Sequence, residues 1–327
     1  MENKFLLFAL DNSKELGEKI AKRLNVDLSE INKTVFADGE IMLVSEVSVR
    51  NKDVFVIANT SKPVNNNIIE ILLFIDSLKR ASAKSIHIVL TYYGYSRQDR
   101  KAKGRQPIGA SLIAKLLQTA GANRMTCVDL HNPAIQGFFD IPVDDLRAQY
   151  IFAKELVKSN EHVSVISPDH GGTVRARLLA ELIADNIEIA IIDKRRVGPN
   201  KSEVMGMIGK VNSDVAVIVD DMIDTGGTII KAAQVAKENG AKKVYLAASH
   251  GIFSRGFDAL QNSEYVDKVF ITDSIDNSEN EKKFSKLKVI SLTNFIADTI
   301  DAYNNGKSVS DIYKAIRDEV DELREKN

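Results

Sequence analysis

From residue 5 onward the chain repeats one pattern: a short apolar run, then a stretch of helical period, then another apolar run. Runs at 5–10, 54–58, 86–90 and 125–130 read as strands in the first half. Runs at 163–166, 188–192, 215–219, 244–247, 268–271 and 289–292 read as strands in the second. Continuous apolar runs of this length suit strands buried on both faces, and their regular alternation with helices means an α/β fold with largely parallel sheets. Helices are predicted over 68–78, 112–119 and 229–238, with Gly121 ending the second. Asn12 is expected to cap the first helix, with Glu15 three residues on and Leu16, Ile20 and Leu24 on its inner face.

Two such series of about 150 residues each suggest two similar domains, with a boundary near 143–149. No residue-level repeat relates the halves. The expected organisation is therefore 1–147, 148–305, and a highly charged, solvated helix within 306–327 capped by Ser308 or Ser310.

The acidic and basic residues balance, 45 against 44, so no global field draws the chain to nucleic acid or to a membrane. Cys127 is the single cysteine, which excludes an intramolecular disulfide framework and fits a reducing compartment. It falls in a strand-like run and is expected to be a buried, inert thiol. The start of the chain reads as neither a signal peptide nor a membrane span, so a soluble cytoplasmic protein is expected.

The most informative stretch runs Ala216-Val217-Ile218-Val219-Asp220-Asp221-Met222-Ile223-Asp224-Thr225-Gly226-Gly227-Thr228-Ile229. It reads as a buried strand ending in an acidic pair, a loop of small residues, and a helix start. A helix N-terminus offers unpaired N–H groups and the positive end of the dipole, which together bind anions. Gly226 and Gly227 let the backbone approach a phosphate, and Thr225 and Thr228 add hydroxyl donors. Asp220 and Asp221 suit sugar hydroxyls or a magnesium ion. The stretch reads as a sugar-phosphate site.

Other strand ends carry polar groups as well. Asp129-Leu130-His131 ends one strand, and His131 reads equally as a metal-phosphate ligand or as a histidine satisfied by a carbonyl. Ser167-Pro168-Asp169-His170-Gly171-Gly172 leaves Asp169 available to a metal. Asp193-Lys194-Arg195-Arg196 ends the strand at 188–192, and Gly198-Pro199-Asn200 beyond it suggests a loop that closes on negative charge. After the strand at 86–90, Arg97, Arg100, Lys101, Lys103 and Arg105 crowd one loop. The loop reads as a basic surface or nucleic-acid patch, or as a polyphosphate site, and its place at a strand end favours the last. Phe36-Ala37-Asp38-Gly39-Glu40 reads alone as a hairpin turn whose aromatic could stack on a base. A sugar-phosphate site, metal ligands and a cationic clamp are the parts that phosphoryl transfer requires.

The 220–228 loop resembles that of type I phosphoribosyltransferases and of phosphoribosyl pyrophosphate synthetases. With Phe36–Glu40, Ser48-Val49-Arg50, Gly94 to Arg100, Asp129-Leu130-His131, Gln136 to Phe139, Ser167 to Gly172, Lys194-Arg195-Arg196 and Asn305-Gly306-Lys307-Ser308-Val309-Ser310, the chain is similar to the ribose-phosphate pyrophosphokinases of class I. The resemblance implies two phosphoribosyltransferase-like domains, each a largely parallel sheet flanked by helices, with the ATP side at 1–147 and the ribose 5-phosphate loop at 148–305. It implies transfer of the β,γ-pyrophosphoryl group of ATP to the 1-hydroxyl of ribose 5-phosphate, with Mg2+, in a homohexamer built from dimers. By the same resemblance Phe36, Asp38, Gly39, Glu40, Arg97 and Gln98 bind ATP, the hairpin across a subunit interface. His131 and Asp169 serve the metal. Lys194 and Arg196 are catalytic, and Arg196, Asp220, Asp221, Asp224, Thr225, Gly226, Gly227 and Thr228 hold ribose 5-phosphate.

Three departures from the family pattern lie outside the reacting groups: Thr272-Asp273-Ser274 for Thr-Asn-Thr, Arg255 for a glycine, and a helix beyond Tyr313 where the family tends to end. Two alternatives share the fold. A phosphoribosyltransferase would not require the ATP elements, and a non-catalytic regulatory paralogue would lack reacting groups that are present here.

Overall fold

In the computed structural model the chain describes residues 5–185, 187–198 and 201–326; for 194–198 and 201–205 the backbone is described. It begins with β1 (Phe5–Ala9), α1 (Lys14–Leu24), the antiparallel pair β2 (Ile31–Val35) and β3 (Ile41–Ser45), and β4 (Asp53–Ala58). Then come α2 (Val64–Arg80), β5 (Ser85–Leu90), α3 (Gly109–Ala120), β6 (Arg124–Val128) and β7 (Val143–Leu146). The second half runs α4 (Gln149–Val157), β8 (Val163–Ser167), α5 (Thr173–Ile183), β9 (Ala190–Gly198), β10 (Lys201–Ile208), β11 (Val215–Ile223) and α6 (Gly227–Glu238). It continues through β12 (Lys243–Gly251), α7 (Asp258–Gln261), β13 (Lys268–Thr272), α8 (Ser278–Lys283) and β14 (Leu287–Ile290). The chain closes with α9 (Thr293–Asn304) and α10 (Val309–Lys326).

Two compact units result. The first comprises 1–147, 274–276 and 292–309; the second comprises 148–273, 277–291 and 310–327. The first holds a parallel sheet in the order β1-β4-β5-β6-β7. The second holds β10-β9-β8-β11-β12-β13-β14, parallel except where β10 turns back on β9. β4, β5 and β8 are buried almost end to end, as continuous apolar runs require. The first core includes Phe8 set edge-on to Phe74 at 5.4 Å, with Ile75, Leu78, Ile88 and Leu90 around them. Each such side chain contributes ~1.5–3 kcal/mol through the apolar area it removes from water. The second core gathers Ile218, Leu246 and Ile271 of the sheet with Phe257 and the buried face of α6. Cys127 is buried on β6 and burial pushes its thiol up, as expected for an inert core residue.

Several local expectations change. Asn12 does not cap α1; it lies in a short 3-10 turn and donates instead to the Asn59 carbonyl at 2.8 Å, because a longer-range polar partner competes for its side chain. β9 and β11 run past their expected ends, since β10 and β12 offer ladder partners further along. Residues 148–305 are not one contiguous body: α9 packs against α1 in the first unit, with Arg23 on Asp298 at 2.9 Å. α10 lies in the second unit, burying Val320, stacking Tyr313 on Tyr150 at 4.7 Å and pairing Glu319 with Lys154. Among the described residues no helix is long and apolar enough to cross a membrane.

Candidate active site

In the second unit the carboxyl ends of neighbouring strands β9, β8 and β11 gather the expected groups. β8 ends at Ser167, whose Oγ donates to the Asp169 carbonyl at 2.6 Å, while Asp169 Oδ1 accepts the Gly172 N–H at 3.1 Å. That carboxylate closes the turn that starts α5. The next residue, His170, meets Asp193 on β9.

Asp220 and Asp221 do not end their strand but sit inside β11, with Met222 and Ile223 still to come before the loop. Arg175, from the first turn of α5, places Nη1 3.7 Å from Asp220 Oδ1 and 3.8 Å from Asp221 Oδ1. Burial first, and then the Asp221 carboxylate, hold the Asp220 carboxyl well above the usual range, and Arg175 offsets part of this. Two adjacent acids on this strand crowd negative charge that a further cation would relieve.

Beyond Ile223 the chain turns through Asp224, Thr225 and Gly226 into α6. Gly226 takes φ +79° at the N-cap, where another residue would be strained by ~1–2 kcal/mol. A Cβ added to Gly227 would meet nothing within 4 Å, so the mouth of the helix is open. Thr225, Gly227 and Thr228 are exposed there, beside the unpaired N–H groups of the first turn. The loop can therefore receive an anion on backbone donors and hydroxyls.

Asp193 to Arg196 form no loop. They continue β9, with Lys194 opposite Val204 and Arg196 opposite Ser202 on β10. The strand runs on to Gly198 because it keeps an antiparallel partner after its parallel one ends. The side chains of Lys194 and Arg196, and all of Pro199-Asn200, lie outside the described residues.

In the first unit, Phe36 to Glu40 form the tip of the β2–β3 hairpin. The Phe36 N–H donates to the Glu40 carbonyl at 2.8 Å, and Asp38 Oδ1 accepts the Glu40 N–H at 3.0 Å. Phe36, Asp38, Gly39 and Glu40 are all exposed. After β5 the chain from Thr91 to Gly94 is buried. A Cβ at Gly94 would sit 2.8 Å from the Thr60 carbonyl, so only glycine allows that approach. Arg97, Gln98, Arg100, Lys101, Lys103 and Arg105 then emerge, exposed. Asp99 accepts from Asn132 Nδ2 at 2.6 Å, which joins this basic loop to the turn after β6 that carries exposed His131. Asp129 is buried, with φ +40°, and faces Arg147 at 3.9 Å.

The sequence did not point to Arg175, to Arg147 or to the pairing of His170 with Asp193. An acidic doublet on a buried strand requires a counter-charge, and Arg175, three residues past Gly172 on the neighbouring helix, was the signal available.

Two largely parallel-sheet units, one with a glycine- and threonine-lined helix mouth beside an acidic pair, define an α/β protein with a candidate anion site. Residues 5–121 match the N-terminal domain of ribose phosphate pyrophosphokinase, and 184–314 match the phosphoribosyl synthetase-associated domain. The ribose-phosphate pyrophosphokinase of Mycoplasmopsis pulmonis is 57% identical over 312 residues, covering 95% of this chain and 97% of that one. That of Bacillus caldolyticus is 46% identical, covering 95% and 98%. The crystal structure of phosphoribosylpyrophosphate synthetase from Mycobacterium smegmatis matches with a TM-score of 0.85 at 38% identity, over 93% of this chain and 100% of that one. The chain belongs to the ribose-phosphate pyrophosphokinase family, and its phosphoribosyltransferase-like α/β fold is as the sequence led us to expect.

Proposed function

We propose that the protein transfers the β,γ-pyrophosphoryl group of ATP to the 1-hydroxyl of ribose 5-phosphate, giving phosphoribosyl pyrophosphate and AMP. The observation that carries this reading is the open mouth of α6, lined by Thr225, Gly227 and Thr228 behind the acidic pair of β11. Asp224 to Thr228 hold the 5-phosphate on backbone N–H groups and hydroxyls, and Asp220 and Asp221 accept from the ribose hydroxyls. Arg196 adds a cation to the same sugar phosphate.

The ATP side belongs to residues 1–147. Exposed Phe36 stacks on the base, Asp38, Gly39 and Glu40 supply acceptors and a turn, and Arg97 and Gln98 contact the nucleotide from the basic loop. Lys194 and Arg196 meet the charge that builds on the β-phosphoryl group during transfer, which lowers the barrier rather than tightening the ground state.

Mg2+ fits the donor set. Asp169, Asp220 and Asp221 are hard oxygen donors, and the raised Asp220 carboxyl marks crowded negative charge that a divalent ion would relieve. Among the described residues no three His, Cys, Asp or Glu side chains form a ready metal cage, which suits an ion held by one or two protein groups plus substrate phosphates. His131 in the first unit and Asp169 in the second are the residues we propose to serve the metal, each in its own unit, with Asp220 and Asp221 available to a second ion. When bound, it neutralises polyphosphate charge.

The protein works as a homo-oligomer, a hexamer, in the cytoplasm. The exposed Val35, Phe36, Met42 and Val44 of the hairpin support a subunit contact there.

Chromatography of a reaction with magnesium-ATP and ribose 5-phosphate tests the reading. AMP together with a diphosphorylated C1 is expected. ADP with a singly phosphorylated sugar product overturns it, and nucleotide binding without turnover points to a non-catalytic paralogue.

A further inference from the structure

The loop that the proposed function gives to the sugar phosphate has an electrostatic gap. Residues 220–228 contain three aspartates and no lysine or arginine, and Arg175 is already engaged with Asp220 and Asp221. A phosphate dianion arriving at the mouth of α6 therefore meets backbone dipoles and hydroxyls, but also the carboxylate of Asp224 close by. Helix-terminal N–H groups bind anions, yet a neighbouring carboxylate works against a doubly charged one. Arg196, which the proposed function gives to the same sugar phosphate, comes from β9; a second cation at the mouth of α6 would offset Asp224 directly.

The turn after β12 is tied to this loop. The N–H groups of Ile252 and Phe253 both donate to the Ile223 carbonyl, at 2.9 and 3.2 Å, where β11 ends. Ser254 Oγ donates to Asp224 Oδ1. The turn itself is closed by the Gly256 N–H on the Phe253 carbonyl at 2.8 Å, with Phe253 at φ +45° and Gly256 at φ +78°. Its two ends are pinned in the core, Phe253 edge-on to Phe257 at 5.1 Å, both buried. Ser254 and Arg255 occupy the corner, exposed. Among the described residues no carboxylate lies within ion-pair distance of Arg255.

We propose that Arg255 is a phosphate-binding residue of the ribose 5-phosphate site, delivered by a rigid turn that Ser254 fastens to Asp224. The Ser254 bond occupies one Asp224 oxygen and so moderates its repulsion of the dianion, while the Arg255 guanidinium adds positive charge beside Asp224 to that of Arg196. A guanidinium suits this role because it stays charged at all working pH values and presents a fork of donors to phosphate oxygens. The inference rests on the assignment of the 224–228 loop to the 5-phosphate.

Steady-state kinetics on wild type, R255A, R255K and T228V test both ideas separately, with thermal melts to confirm folding. R255A is expected to raise KM for ribose 5-phosphate about five- to tenfold, the range between an exposed ion pair and a charge-assisted hydrogen bond to phosphate. KM for ATP should change by less than about twofold, R255K should recover part of the loss, and added salt should narrow the gap between wild type and R255A. T228V should raise KM for ribose 5-phosphate as well. A T228V effect with R255A at the wild-type value overturns the role of Arg255 and leaves the loop assignment standing. No effect from either variant overturns the loop assignment and the inference with it. An R255A effect on ATP, or one that appears without any T228V effect, removes Arg255 from the 5-phosphate site.

Discussion

His170 Nε2 lies 3.2 Å from Asp193 Oδ1, joining the turn after β8 to the strand that continues into Lys194 and Arg196. The side chains are 61% and 45% exposed, so solvent screens the contact and its worth is under about 1 kcal/mol. Its consequence is alignment of β9 where its pairing with β8 ends. His170→Ala and Asp193→Ala are each expected to lower kcat by about two- to fivefold, and the double variant by no more than the larger single effect. Multiplicative losses in a double-mutant cycle would show that the two residues act apart.

Lys194→Ala is expected to abolish useful turnover while both substrates still bind. A cation that meets the phosphoryl group as charge develops typically contributes roughly two to three orders of magnitude in rate, about 3–4 kcal/mol. Lys194 sits on a hairpin strand paired to β10, so its backbone position is set by the ladder. Turnover and substrate titration on the same preparation decide the matter. Retention of more than about a third of the rate sinks the catalytic role, since the expected loss is far larger.

The acidic pair of β11 should destabilise the metal-free protein. The Asp220 carboxyl is raised by burial and by Asp221, so its ionised form is disfavoured in the folded chain. The associated cost is absent below the ordinary carboxylate range and grows as pH rises through the raised folded-state value. Asp220→Asn removes that charge. Melts without metal should show Tm higher by roughly 2–4 °C near neutral pH, corresponding to about 1 kcal/mol in a unit of this size. Magnesium should raise the wild-type Tm more than that of the variant. Equal magnesium responses would take Asp220 out of the metal site.

His87 is buried on β5 between Phe55 and Tyr303, with Thr126 Oγ1 at 2.9 Å from Nε2. Burial, and next Arg124, depress its pKa from 6.5 to about 3. The neutral ring is the folded form, so its contribution is complete above pH 6.5 and is lost as pH falls from 6.5 toward 3. Chemical denaturation across that range should show stability falling in wild type and a shallower fall in His87→Gln. Parallel curves would mean that other groups set the acid limb.

The alternation of strands and helices was legible because buried parallel strands must be apolar throughout, as β4, β5 and β8 are. The strand–acid–glycine–helix order at β11 and α6 was legible for a similar reason, since helix starts and left-handed glycine turns have local signals. What escaped notice depends on partners distant in sequence. β10 is visible only once β9 has a partner to pair with, β7 fell where a domain boundary was expected, and Arg175 matters only because α5 stands beside β11. Asn12 had every local mark of a cap, yet it was drawn to Asn59, 47 residues away. Arg255 stood out only as a departure from the family's glycine, and Ser254 gave no signal; the bond to Asp224 gives them significance.

The return of α9 to the first unit has a consequence for synthesis. α1 needs that helix as a neighbour, and Tyr303 on it stacks against His87 and donates to Asp144 at 2.7 Å. Those residues leave the ribosome after nearly the whole second unit has been made. At ordinary elongation speeds the nascent first sheet waits roughly ten to thirty seconds with one flank uncovered. Vectorial folding, one domain finished before the next begins, is closed to this chain, and a ribosome stalled between the units would release a fragment with exposed apolar surface.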